Sequence, residues 1–146
     1  MDSSTGAGRE GIVVETQSDG QRVLWTLVPE LPDEAQRLAS PWLTVIGWAY
    51  DGSSRHGMPD DETNGQMLQL ENALGLIERP GFCHEAYRRI GEGLREFVFH
   101  VADRDQFLRA LNERLETHPR YPIEIKFFSD PAWSDLRQLI EDLGLH

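Results

Sequence analysis

From residue 42 onward, the chain alternates between two spacings of apolar residues, and each spacing predicts one kind of secondary structure. Runs of β-branched and aromatic residues predict strands, whereas apolar residues three or four positions apart predict helices. Read in order, these segments form the series βαββαβα. The predicted strands lie at 42–50, 82–90, 94–101 and 123–128, and the predicted helices lie at 63–78, after Asp103 and after Asp130.

The series strand, helix, hairpin, helix, strand is typical of a ferredoxin-like split βαβ sandwich, which is an α+β fold. Right-handed crossovers place both helices of such a core on one face of a four-stranded antiparallel sheet. An N-terminal β-hairpin around Asp19-Gly20 and an extra C-terminal helix are predicted additions to this core. We therefore expect a disordered tail at 1–10 and a single domain at 11–146, with the ferredoxin-like core at about 41–142.

The central hairpin is predicted to turn at Glu92-Gly93. A two-residue turn there places Arg89 opposite Glu96 and Glu85 opposite His100, and both pairings are electrostatically favourable. A shift of one residue would place two arginines opposite each other, so we prefer the first register.

Polar residues mark the helix starts. Thr63 with Gln66 fits a capping box at the first long helix, and Asp103 fits the cap of the next one. Asp130 followed by Pro131 predicts a cap with proline at the first helical position of the last helix. Trp133 then falls on the buried stripe of that helix, so we interpret it as a core residue.

The strand at 42–50 is apolar on both faces, which means that both faces must be covered. Because a bare ferredoxin-like sheet has helices on one side only, the aromatic face is our candidate protein-binding surface. Its cover could be the N-terminal hairpin carrying Trp25, a second copy of the chain or a different protein. The candidate protein-binding residues are Trp42, Ile46, Trp48 and Tyr50, together with Arg95 and Glu96 of the hairpin as surface anchors.

Composition excludes several classes of function. The net charge of −11 opposes nucleic-acid binding, which depends on Lys and Arg that neutralise phosphates. Cys83 is the only cysteine, so an internal disulfide is impossible and a reducing compartment is the natural setting. No secretory signal is recognisable, and the longest apolar run, at 42–50, is too short to cross a bilayer. We expect a cytoplasmic protein with no membrane partner.

No arrangement of residues identifies a catalytic centre, a cofactor site or a metal site. The five histidines lack metal-ligand spacing, although His84 and His100 would face each other in one hairpin register. Two ordinary strand histidines are the simpler interpretation. The acidic run at 60–62 lacks the spacing of a calcium loop, and Glu71 and Glu85 are acid/base candidates without any supporting spacing. We predict no catalytic residues, no cofactor and no metal.

The stretch from Trp42 to Leu143 resembles the family catalogued as domain of unknown function 695. The matching motifs are Gly93-x-Arg95-Glu96-Phe97-x-Phe99, the acidic helix start at Asp103 and the closing Asp130-Pro131-x-Trp133. The resemblance implies a ferredoxin-like fold and a bacterial origin, and it implies no activity. Domains of this family look similar in fold to the regulator of ribonuclease E activity B, a small acidic protein that inhibits an endoribonuclease by binding it.

These observations favour a non-enzymatic protein-interaction or regulatory module, with ribonuclease inhibition as a special case. The partner would be a protein or a second copy of the chain, bound through the sheet face. The alternative is an enzyme or a small-ligand-binding protein with its site between the polar loop at 51–62 and the sheet. A deep pocket lined by several titratable groups would favour the alternative, whereas a flat apolar surface would favour the module.

We expect the protein not to bind nucleic acid directly at physiological salt, because its acidic surface repels phosphates. Mobility-shift titrations with single- and double-stranded RNA check this expectation, and sub-micromolar binding to either would contradict it.

Overall fold

A computed structural model describes residues 11–145 of the chain, and the tail predicted at 1–10 lies outside this range. Six strands form one antiparallel sheet in the order β1-β2-β4-β5-β3-β6, accompanied by four helices, so the α+β prediction is confirmed. The strands are β1 (Ile12–Ser18), β2 (Gln21–Leu27), β3 (Trp42–Ala49), β4 (Cys83–Gly91), β5 (Leu94–Val101) and β6 (Ile123–Ser129). The helices are α1 (Glu34–Ala39), α2 (Asp61–Ile77), α3 (Arg104–Arg114) and α4 (Ser134–Asp142).

The N-terminal hairpin extends the sheet instead of covering one of its faces. Asp19 and Gly20 form its turn with φ values of 51° and 79°, the left-handed pair that a tight hairpin turn requires. Strand β2 then pairs with β4, from Leu24 opposite Ile90 to Leu27 opposite Tyr87. The hairpin is therefore not the cover of the apolar strand at 42–50.

Strand β3 is covered by helices on both sides. On one side Ile46 and Trp48 are buried in a core that includes Leu70 of α2 and Phe107 of α3. On the other side Leu43 packs in a second core that includes Leu136 and Ile140 of α4. None of the helices within residues 11–145 is long and apolar enough to cross a membrane.

Helix α2 begins two residues earlier than predicted. The Asp60 carboxylate, not the Thr63 hydroxyl, caps it by accepting a hydrogen bond from the Thr63 backbone N–H at 2.8 Å. The negative charges at 60–62 also favour an earlier start, because they interact well with the positive end of the helix dipole. The cap predicted at Asp103 is confirmed, since its carboxylate accepts from the Gln106 N–H at 2.9 Å.

The predicted hairpin turn at Glu92-Gly93 is confirmed, and Arg89 lies opposite Glu96. Further along, a bulge between Glu85 and Tyr87 shifts the pairing by one residue. His84 therefore lies opposite His100, and the predicted pairing of Glu85 with His100 is wrong. The alternation of apolar and polar residues did not indicate this bulge, which is a local irregularity of the backbone.

The Asp130-Pro131-x-Trp133 motif builds the last helix differently from the prediction. Trp133 has a left-handed backbone with φ 56°, and α4 begins only at Ser134, so Pro131 is not its first helical residue. The Asp130 carboxylate nevertheless caps the helix, accepting from the N–H groups of Ser134 at 2.8 Å and Asp135 at 3.1 Å.

Trp133 is a core residue, as predicted, with only 1% of its surface exposed. Its ring stacks on His100 with the centroids 4.0 Å apart and the planes 6° from parallel. The indole N–H donates to the Ser40 carbonyl at 3.1 Å, and His100 Nδ1 lies 3.0 Å from the same oxygen. Through the contacts of Trp133, the motif thus holds α4 and the segment after α1 against strand β5.

We predict that Asp130→Ala lowers the free energy of unfolding by about 1 kcal/mol, because two N–H groups at the start of α4 lose their acceptor. Asp130→Asn is the matched control, since asparagine also caps helices but has one acceptor oxygen instead of two, and its stability should lie between those of the alanine variant and the parent. Urea unfolding monitored by tryptophan fluorescence measures both variants. An alanine variant with the stability of the parent would contradict the capping role.

Candidate functional site

The aromatic face predicted to bind a partner is turned toward the helices. Ile46 and Trp48 are 0% and 2% exposed, and the Trp48 ring lies 5.1 Å from that of Tyr121. Trp42 and Tyr50 pack partly buried at the edge of the same core. The prediction of an open aromatic interface is therefore wrong, because α2 and α3 pack on the face that carries the large side chains.

The predicted anchors Arg95 and Glu96 point to opposite faces of the sheet, as neighbours in a strand must. Arg95 lies on the helix side, where its guanidinium donates to the Glu71 carboxylate of α2 at 2.9 Å. Its side chain is only 14% exposed. Arg95 therefore joins α2 to the sheet and does not serve as a surface anchor, whereas Glu96 lies on the other face.

The Glu71 carboxylate also lies 2.6 Å from Arg88, which in turn lies 3.4 Å from Glu85. The two acid/base candidates, Glu71 and Glu85, thus both form ion pairs with Arg88. Burial raises the pKa of Glu85 to about 7, and Arg88 opposes this increase. The cluster links α2 with β4 and β5, so we assign it to stability.

The other face of β3 carries the candidate site. A hollow of about 460 Å³ lies over β5, β3 and β6, on the side of the sheet opposite Trp48. We call it the open groove. Its lining residues are Val45, Gly47, Ala49, Leu94, Glu96, Pro122, Glu124, Lys126 and Phe128.

The open groove exists because β3 carries its smallest side chains on this face. Gly47 lies between Glu96 of β5 and Glu124 of β6. A Cβ atom added at Gly47 would meet its nearest neighbour, the Glu124 carbonyl oxygen, at 4.0 Å, which is ordinary contact. The glycine is therefore not required by the fold at this position. Its missing side chain leaves room above the strand.

The polar rim of the open groove is mainly acidic. Glu96 and Glu124 flank it, and Lys126 forms an ion pair with Glu124 at 3.4 Å. Burial raises the pKa of Glu96, and the carboxylate of Asp135 at the start of α4 adds to this effect, while Arg89 and Lys126 oppose it. A cation that approached Glu96 would oppose this increase in the same way as Arg89 and Lys126.

Phe128 is the large apolar group of the open groove, and half of its surface is exposed. Sequence reasoning missed it together with Gly47, Ala49, Glu124 and Lys126, and it identified only Glu96 among the lining residues. One signal was available. On β3 the residues Gly47 and Ala49 share a face, while Trp48 and Tyr50 share the other, so the face with empty space is the one with small residues.

The polar loop at 51–62 forms a second hollow, of about 340 Å³, against the N-terminal hairpin. The loop is fastened by Gly57, whose carbonyl accepts hydrogen bonds from the Tyr50 hydroxyl at 2.5 Å and the Gly93 N–H at 3.0 Å. Arg22 and Arg55 line the hollow, but each already has a carboxylate within 4 Å. These pairings leave little unbalanced charge for a ligand to recognise.

The two histidines considered as the start of a metal site do lie opposite each other. His100 is fully buried, with Nδ1 at the Ser40 carbonyl and Nε2 at 3.8 Å from the Asp130 carboxylate. Between residues 11 and 145, no three His, Cys, Asp or Glu side chains are grouped closely enough to hold a metal ion. We therefore interpret His100 as a core residue that packs against Trp133.

Folding changes the pKa values of the buried His100 and the partly buried Glu85 in opposite directions. Burial lowers the pKa of His100 from 6.5 to about 4, whereas burial raises the pKa of Glu85 from 4.5 to about 7. At pH values between the two unfolded-state pKa values, 4.5 and 6.5, each state carries one proton on this pair of groups. In the native state the proton is on Glu85, and in the unfolded state it is on His100. The two groups therefore make opposite contributions to the pH dependence of the free energy of unfolding, and these contributions cancel across this range.

We predict that Glu85→Gln breaks this balance. With His100 alone, the free energy of unfolding should fall as the pH is lowered from 6.5 to 4.5, with a limiting slope of about 1.4 kcal/mol per pH unit. The parent should change much less over the same range and lose stability from Glu85 as the pH rises toward 7. Urea unfolding at closely spaced pH values measures both proteins, and parallel profiles would contradict the assignment.

Comparison with known proteins places the chain in a family. Residues 14–140 match the family of unknown function DUF695, from within β1 to within α4. The match thus includes the N-terminal hairpin, which lay outside the stretch whose motifs suggested the resemblance. No curated protein and no solved structure matches the chain. Since the matched residues make up most of the chain, the protein belongs to the DUF695 family.

Proposed function

We propose that this protein is a non-enzymatic interaction module that binds a protein partner in the open groove. The observation that carries the proposal is the exposed surface of β5, β3 and β6 in the open groove. There Gly47 and Ala49 leave space beside Phe128, which is 50% exposed. An apolar floor with a charged rim is the usual composition of a protein interface.

The charge of the rim supports a partner that differs from this chain. In a symmetric dimer the same patch would face itself, so Glu96 and Glu124 of one copy would oppose the same acidic groups of the other. Like charges that face each other across an interface are destabilising. A segment that carries Lys or Arg beside apolar residues would complement the groove instead. We therefore propose a basic, amphipathic protein segment as its ligand.

We further infer that β3 to β6 with α2 and α3 form a ferredoxin-like core, within a single domain. The order β4-β5-β3-β6 and the packing of both helices in one core support this assignment. A cytoplasmic location would suit the buried, unpaired Cys83.

Inhibition of a ribonuclease is a special case of this proposal. Surfaces that bind RNA are basic, because they neutralise phosphates. An acidic groove could therefore occupy such a surface and compete with RNA for it. The support for this case is the combination of the acidic rim with a fold-level resemblance, and the test below distinguishes it from other partners by the identity of the captured protein.

We predict that Gly47→Val fills the open groove and weakens partner binding at least about tenfold, a loss of roughly 1.4 kcal/mol. The same variant should melt at or above the temperature of the parent, because valine suits a strand and the added Cβ atom meets no neighbour closer than 4.0 Å. Glu124→Lys should also weaken binding by reversing the rim charge, whereas Glu15→Lys on β1, outside the groove, should not. Binding is measured by capture from lysate with each immobilised protein.

A photo-reactive phenylalanine analogue at Phe128 tests the location directly. It should cross-link to the captured partner, whereas the same analogue at Leu38, which is 59% exposed on α1, should not. Identical capture by the parent and Gly47→Val, or equal cross-linking from both positions, would overturn the proposal.

A further inference from the structure

Helix α2 presents an uncharged face to solvent. The exposed residues along this face, which we call the neutral helix face, are Asn64, Leu68, Gln69, Asn72, Gly75 and Leu76. Leu68 is 49% exposed and Leu76 is 64% exposed. The face extends for about 18 Å along the helix, at 1.5 Å per residue.

This absence of charge is unusual for this chain, in which 27% of the residues are charged. Helix α3, for comparison, exposes Arg104, Asp105, Arg109 and Glu113. After its first turn, α2 contains a single charged residue, Glu71, and that side chain is turned toward the sheet, where it meets Arg88 and Arg95. After the first turn of α2, its outer face therefore carries no charged side chain.

We propose that a second copy of this chain docks on the neutral helix face, with the two α2 helices packed antiparallel about a twofold axis. Each copy has a net charge of −11, so two copies repel each other and can approach most easily where their surfaces carry the least negative charge. A symmetric interface must also complement itself. Leucine and amide side chains do so, because leucines pack on each other and an amide both donates and accepts hydrogen bonds.

The spacing along α2 fits a twofold axis at Asn72. Leu68 and Leu76 lie four residues before and four residues after it, so an antiparallel copy places Leu68 of one chain against Leu76 of the other. The two Asn72 side chains then meet at the axis. Beside them, a hollow of about 310 Å³ has room for the entering leucine, and the side chains of Arg114 and His118 form its wall on the side away from α2. Its lining residues are Gln69, Asn72, Ala73, Leu76, Arg114 and His118.

The dimer would leave the open groove accessible. Helix α2 packs on the face of β3 that carries Trp48, whereas the open groove lies on the opposite face. The inference therefore goes beyond the proposed partner binding. A dimer of this geometry would carry two grooves and could bind a partner at two points, which increases the strength of attachment.

Sedimentation equilibrium of the full chain tests the dimer, starting from a monomer mass of 16.7 kDa. The parent should reach twice this mass as its concentration rises, and added NaCl should tighten the dimer by screening the repulsion between the copies. Leu68→Glu and Leu76→Glu should each remain monomeric with an unchanged melting temperature. Leu38→Glu is the matched control, because Leu38 is 59% exposed on α1, and it should dimerise like the parent.

Cysteine cross-linking tests the position of the axis. Asn72→Cys should form a covalent dimer under mild oxidation, since residues at a twofold axis come within the distance that a disulfide requires. Leu38→Cys should not, and the natural Cys83 is buried and does not interfere. A parent that stays monomeric at every soluble concentration, a dimer that survives Leu76→Glu, or no preference for cross-linking at Asn72 would overturn the inference.

Discussion

The two apolar faces of β3 impose the main constraint on this molecule, because each must be removed from water. Helices α2 and α3 bury the face with Ile46 and Trp48. Helix α4 buries the opposite face around Leu43 and stops short of Gly47 and Ala49. The open groove is the part of that second face on which no element of residues 11–145 packs. Its existence therefore follows from the small side chains of β3 on this face and from the absence of α4 residues from its lining.

The two proposed binding surfaces lie on opposite sides of the sheet and differ in charge. On the side of α4 the open groove has an acidic rim with Glu96 and Glu124, which suits a basic partner and opposes self-association. On the other side Arg88 and Arg95 neutralise the charge of Glu71. The exposed residues of α2 after its first turn are uncharged. The same ion pairs that hold α2 in place thus create a surface on which two acidic copies can meet.

The Asp130-Pro131-x-Trp133 motif has a structural role in this protein. Asp130 caps α4, and Trp133 stacks on His100 while its indole holds the segment after α1. These contacts join α4, α1 and β5 into one core, and they account for the residues without any chemical activity. The surfaces that we propose for binding, the open groove and the neutral helix face, lie elsewhere.

The sequence by itself determined the elements, because strand alternation, helix periodicity and turn residues act over a few neighbouring positions. It predicted the α+β class, the turn at Glu92-Gly93 and the burial of Trp133. Only the tertiary structure decided which face of β3 the helices cover, since both faces are apolar and periodicity does not rank them. Sequence reasoning therefore placed the site on the side of Trp48. The open groove required the end point of α4 and the neighbours of Gly47, which depend on contacts between residues far apart in the chain.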